Sequence, residues 1–223
     1  MDDRIGFTVG LTNHLQATLA RAKGASRQTQ LYEIGLKAKL MEQREGKGHP
    51  VALAFFTNIV IAANPARFPD REDSYQDFGD RVSNTFQLIM ARRFGRVSVQ
   101  LNPTVVTRGL ALSYDKKSFF ALGGALRIPA GRRFNLVMDY FHTFRDQASK
   151  DSFSLNNRIA FYDALGVGVE ILTARHIFRL NFTNTSETLE NRFIPRTITA
   201  WSRGQWRWGF TLAREFTLWK PKK

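Results

Sequence analysis

The chain has 223 residues, with 33 Lys+Arg against 19 Asp+Glu, a formal net charge of +14 and no cysteine. At 43% hydrophobic and 23% charged it is no disordered chain, and its length fits one large domain or two small ones. The missing cysteine excludes a disulfide framework, a thiolate metal site and a Cys nucleophile, and the dispersed basic residues do not form the clustered face that nucleic-acid binding needs.

In chain order, the dominant pattern is alternation with a period of two. Segment 4–11 sets Ile5, Phe7, Val9 and Leu11 against Arg4, Gly6, Thr8 and Gly10. After Thr12-Asn13-His14, a second run sets Leu15, Ala17 and Leu19 against Gln16, Thr18 and Ala20. Segment 31–40 opposes Tyr32, Ile34, Leu36 and Leu40 to Glu33, Gly35, Lys37 and Lys39. Segment 51–62 is apolar on both faces except at Asn58, and segments 82–91 and 96–105 alternate again. In the second half the same rhythm predicts strands at 119–128, 133–142, 152–162, 165–172, 176–184 and 205–215. That makes twelve predicted strands, with a short thirteenth at 196–201. Turn chemistry marks Phe94-Gly95, Pro129-Ala130-Gly131 and Ala164-Leu165-Gly166. Gly46-Lys47-Gly48 also reads as a turn, with too few glycines for a phosphate loop.

What lies on the second face selects the architecture. A soluble β-sandwich or lipocalin-like barrel also alternates, but its outward face is rich in Lys, Glu and Thr. Here the polar face carries Gly, Ala, Ser, Thr, Asn and Gln, and the apolar face is bulky, in a chain with 19 Phe. A lipid-facing apolar band around a polar interior predicts both features. We therefore expect an all-β fold, an antiparallel transmembrane β-barrel of about 12–14 strands, as one domain over residues 1–223. No apolar stretch reaches the length of a transmembrane helix.

Several segments resemble an uncharacterised family of membrane-bound β-barrel proteins of Bacteroidota. The resemblance is carried by His176-Ile177-Phe178-Arg179-Leu180-Asn181-Phe182-Thr183-Asn184-Thr185 followed by Phe193-Ile194. Gly10-Leu11-Thr12-Asn13-His14-Leu15 is similar to the family's early hairpin, with Asn-His where the family usually has Asp-Arg. Lys37-Ala38-Lys39-Leu40 resembles its next strand, and Trp208-Gly209-Phe210 with Arg214 and Phe216 its closing strand. The resemblance implies a bacterial outer-membrane location and no known activity. It also implies a signal peptide and at least one strand ahead of Met1. The opening MDDRIGFTVG shows no such leader, and strand parity points the same way. The expectation is thus a barrel lacking its N-terminal strand and signal peptide, marked by the absence of a ladder between segments 4–11 and 205–215.

The inward set contains Arg4, Lys37, Lys39, Arg127, Arg158, Arg179 and Arg207 against Glu33, Asp139, Glu170 and Glu215, seven positive and four negative. One reading is a lumen field that favours small anions. The other is a set of cross-lumen ion pairs that fill a narrow barrel. Trp206, Trp208, Phe216 and Trp219 read as membrane-interface anchors, and Trp201 as loop or girdle. The long connector 63–80 reads as a plug, a partner site or a mobile loop, and 184–195 is the other long connector. The four histidines, His14, His49, His142 and His176, are too dispersed for a metal site. His142 faces outward by alternation with no serine on that face of the neighbouring strands, which argues against a hydrolase. No cofactor and no nucleic acid are expected. The partners expected are the lipid bilayer, envelope proteins and small anions. Function narrows to a scaffold or accessory subunit of an envelope complex first, then an anion-preferring channel.

Overall fold

A computed structural model describes residues 3–24, 29–44, 48–66, 71–113 and 115–216. Among them are eleven strands: β1 (Asp3–Gly10), β2 (Leu15–Lys23), β3 (Leu31–Met41), β4 (Ala52–Ala62), β5 (Val82–Phe94), β6 (Val97–Arg108), β7 (Ser118–Pro129), β8 (Phe134–Phe144), β9 (Ala164–Leu172), β10 (His176–Thr183) and β11 (Arg207–Arg214). They form one sheet in sequence order, each strand antiparallel to the next. Eleven of the twelve alternating segments thus become strands, because each offers one bulky face and one small or polar face over a suitable length.

With one exception, 42–51, the connectors alternate between short and long. Those at 11–14, 42–51, 95–96, 130–133 and 173–175 lie at one end, here the turn end. Those at 24–30, 63–81, 109–117, 145–163 and 184–206 lie at the other, the loop end, and most are far longer. In the two-residue turn at 95–96, Gly95 takes φ 57°, a left-handed conformation that suits glycine. Short turns at one end and long loops at the other are the signature of a membrane barrel.

Register fixes which side chains share a face. Gly35 pairs with Asn58 and Asn58 with Thr85, so these stand on one face, while Leu36, Thr57 and Phe86 stand on the other. The first face is the buried one: Asn58, Thr85, Gln87, Asn102 and Thr104 are all at most 7% exposed. The second carries the apolar belt in the open, including Phe7 (74%), Phe210 (60%), Leu36 and Leu136. A water-soluble sandwich would bury that belt and expose the amides.

The concave face is filled by the connector 184–206. Leu189 packs against Ala22, Leu31, Val60 and Ala62 of β2–β4. Ile194 packs against Val106, Ala121, Phe141 and Ala164 of β6–β9. Five residues span at most about 17 Å, so the two halves of the sheet face one another across a short stretch of this segment.

Two predicted strands are not strands. Segment 152–162 belongs to helix α1 (Gln147–Asn157) and the chain after it. Asp146 is the helix N-cap, its carboxylate accepting from the Ser149 backbone N–H at 2.8 Å. Arg158 closes the helix in a left-handed conformation at φ 54° and is exposed, so it is not a lumen charge. Ser152 and Ser154, read as inward, are helical as well. Segment 196–201 pairs with no strand; its backbone belongs to the filling segment, with the Tyr162 N–H donating to the Thr197 carbonyl. Ala164-Leu165-Gly166 opens β9 rather than forming a turn, and the tight turn falls at 173–175. Segments 4–11 and 205–215 share no ladder, leaving β1 and β11 as the two edges among the described residues.

Candidate functional site

The inward charges gather into two knots, both running along the wall rather than across the lumen. In the first, Arg4 of β1 reaches over β2 to Glu33 of β3, Nη2 to Oε2 at 2.7 Å. The route is open because β2 offers only Ala20 and Ala22 beneath it, in register with Glu33 and Arg4. Asn58 of β4 donates to the other Glu33 oxygen at 3.0 Å. Glu33 is 3% exposed, and these charged bonds offset its loss of water.

In the second knot Glu170 of β9 accepts from Arg127 of β7 at 2.7 Å, from Asn135 of β8 at 3.2 Å and from Arg179 of β10 at 2.8 Å. Four consecutive strands are tied through one carboxylate. Two guanidiniums on one acid leave a net positive charge there, facing the turn end. The remaining inward residues stay apart from the knots. Lys37 is exposed, Lys39 bonds Glu42, and Asp139 stands over Gly166, where a Cβ would meet its carboxylate at 2.8 Å. Arg207 donates to the Thr199 hydroxyl at 3.1 Å, and Glu215 follows β11 with its backbone N–H bonded to the Arg175 carbonyl. The expectation of ion pairs spanning the lumen is therefore corrected to pairs along the wall, between adjacent strands (Arg179–Glu170) or across one intervening strand (Arg4–Glu33, Arg127–Glu170). Two strand spacings come to about 10 Å, which long arginine and glutamate side chains bridge over small residues.

What spans the lumen is the segment 184–206. Its short helix α2 (Glu190–Phe193) stands against β5 and β6. Phe193 meets Phe141 edge to face at 5.5 Å. The Phe141 ring lies directly over Gly123 of β7, where a Cβ would sit 2.4 Å from it. Polar bonds fix the segment to the wall on several sides. Thr143 donates to the Ile194 carbonyl at 2.7 Å, Arg145 to the Pro195 carbonyl at 2.6 Å, and Asn191 bonds Ser83. Asn184 donates to the Asp163 and Thr199 carbonyls at 2.8 and 2.7 Å while accepting from the Leu165 N–H. Arg192, buried, lies between Glu187 and Glu72, which joins the segment to the connector 63–81. That connector also packs inward, with Tyr75 and Leu189 in one apolar cluster. Of the three readings of this connector, its described part fits the plug.

Glu190 enters this interior beside the first knot. Burial pushes its carboxyl up to about 7, Glu33 adds to the rise, and Arg4 opposes it. On the outward face, Tyr140 and His142 both bond one oxygen of Asp163, at 2.5 and 2.9 Å. Burial raises the Asp163 carboxyl, but these bonds outweigh it and hold it below the usual carboxylate range.

Trp206 and Trp208 are exposed at the loop-end edge of the belt, and Phe216 at the turn-end edge. Ten residues of extended chain cover about 33 Å, and a barrel tilt reduces this to about 25 Å, the height of an apolar band. Trp219 lies outside the described residues, and Trp201 is a loop residue whose indole donates to the Leu165 carbonyl at 2.8 Å. The sequence reading noted Asn58 only as a polar exception and gave no site role to Asn58, Asn135, Glu190 or Arg192. The two asparagines sit in otherwise apolar or alternating strands, and the other two lie in a connector without periodicity.

No curated protein and no solved structure matches the chain. A family model described as a membrane bound beta barrel domain matches residues 1–216. The exposed belt, the alternating connectors and this match together place the chain as a member of the membrane bound beta barrel domain family (DUF5777).

Proposed function

We propose that the chain is an integral outer-membrane barrel whose lumen is filled rather than conducting, and that it serves as a scaffold or accessory subunit of an envelope complex. The observation that carries this reading is the segment 184–206, whose Leu189 and Ile194 bury themselves against opposite halves of the sheet. A filled lumen leaves the outer wall, the loops and the turns as the working surfaces. Affinity purification of the full-length protein from native membranes in mild detergent tests it. A stoichiometric envelope protein that copurifies is the expected result. A barrel that purifies alone and passes ions counts against it.

A second reading keeps the anion channel. Lys37, Arg127 and Arg179 leave the turn-end half of the lumen positive, and a filling segment that moves aside would expose that field to small anions. Arg179→Glu would then weaken anion preference in any current observed. Both readings take the chain as non-catalytic; the outward His142 is engaged by Asp163 and the Phe144 ring.

A further inference from the structure

Acidic residues are sorted between the two ends. The described part of connector 63–81 alone holds Glu72, Asp73, Asp77 and Asp80. Three loop-end cations have acid partners close by: Arg108 and Arg145 share Asp115, and Lys116 meets Asp146. At the turn end the described acids are Glu42, engaged by Lys39 and Arg44, Glu170, engaged by Arg127 and Arg179, and Glu215.

The turn-end corners are arginine-rich. The β5–β6 hairpin carries Arg92 and Arg96, the β7–β8 turn Arg132 and Arg133, the β9–β10 turn Arg175, and β11 ends on Arg214. All six are exposed, and among the described residues none has a carboxylate partner. Two of them show the height of the rim. The Arg92 guanidinium lies 4.6 Å from the Phe94 ring, and that of Arg214 lies 4.9 Å from the Phe216 ring. Both arginines continue the outward face that holds Leu88 and Met90 on β5 and Phe210 and Leu212 on β11. Their aliphatic stems follow the apolar belt and their charges reach its edge, the level at which headgroup phosphates lie.

We propose that this arginine rim binds the phosphates of anionic phospholipids in the leaflet it faces, selecting them over zwitterionic lipids. The guanidinium fork matches a phosphate bidentately, and membrane-surface attraction adds up over separate cations. Placement favours lipid over an acidic protein: along the arc of corners from β5 to β11, Arg92 and Arg214 continue the exposed apolar face at its edge, the level of lipid headgroups.

The test uses the full chain in vesicles of phosphatidylcholine with ~20 mol% phosphatidylglycerol, reading the association of spin-labelled forms of each lipid. The wild type should prefer the anionic lipid about threefold to fivefold, and salt near ~0.5 M should erase most of that preference. A variant with Arg92, Arg96, Arg132, Arg133, Arg175 and Arg214 changed to Gln should bind both lipids alike. A loop-end control, Lys116→Gln with Lys117→Gln and Lys150→Gln, should keep the preference. Equal binding by the wild type overturns the proposal, as does loss in the loop-end control. Inorganic phosphate at ~10 mM should leave the preference intact; full displacement would reassign the rim to free phosphate. Polyglutamate binding to a wild type without lipid preference would reassign it to an acidic protein. The salt titration of the wild type keeps the test decisive if the sixfold variant does not fold.

Discussion

At the residue scale, single contacts decide whether the interior holds its filling. Gly123 lies beneath the Phe141 ring with no space for a methyl group. Gly123→Val would push that ring off Phe193 and cost about 1–3 kcal/mol by overpacking. The urea midpoint for unfolding from vesicles should fall, while Gly124→Ala, where a Cβ meets only the Gln100 carbonyl at 4.0 Å, should barely move it. Glu170 is the second sensitive point. Glu170→Gln keeps the bond to the Asn135 amide and loses two charge-assisted bonds to half-exposed arginines. Screening by water limits the loss to about 1–2 kcal/mol, measured as the same midpoint shift. The polar face itself was legible, because alternation places Glu33, Glu170, Arg4, Arg127 and Arg179 inward together. Their pairing was not, since it depends on register and on the small residues Ala20 and Ala22 that let Arg4 cross a strand.

At the element scale, the strands and the filling segment follow different rules. Strands announce themselves by a period of two, and eleven of them were readable for that reason. Helix α1 was not, because Phe153, Leu155 and Phe161 alternate with polar residues by coincidence. The signal present was Asp146 three residues before Ser149, a cap that satisfies an otherwise unpaired helix N–H. The filling segment has no period at all; its burial is dictated by the cavity it enters. Its stability should depend on pH through Glu190. The folded carboxyl titrates near 7 against an ordinary value of 4.5, so the folded state holds its proton longer than the unfolded chain. Stability contributed by the protonated acid is complete below about pH 4.5 and is lost as pH rises toward 7. Proteolytic nicking within 184–206 should therefore be slower at pH 5 than at pH 8, by roughly 1–2 kcal/mol in opening free energy. Glu190→Gln should make the rate independent of pH over that window. An unaltered pH profile in the variant would assign the effect to another group.

At the scale of the whole molecule, one wall separates two solvents. The outward belt needs lipid, since exposed Phe7, Leu36, Leu136, Trp208 and Phe210 would associate in water. The inward amides need partners, which the wall and the filling segment supply. The fold class was legible from composition and period alone, because a lipid-facing barrel must combine bulky outward residues with small polar inward ones. Whether the lumen is open was not legible, because that depends on where a nonperiodic connector folds. The decisive measurement is single-channel current across a planar bilayer for two proteins, the wild type and a variant with residues 186–199 replaced by a short Gly/Ser linker. The account predicts a silent wild type and a conducting, anion-preferring variant that exposes Arg127 and Arg179. Stable current steps from the wild type would contradict it and make the chain a channel.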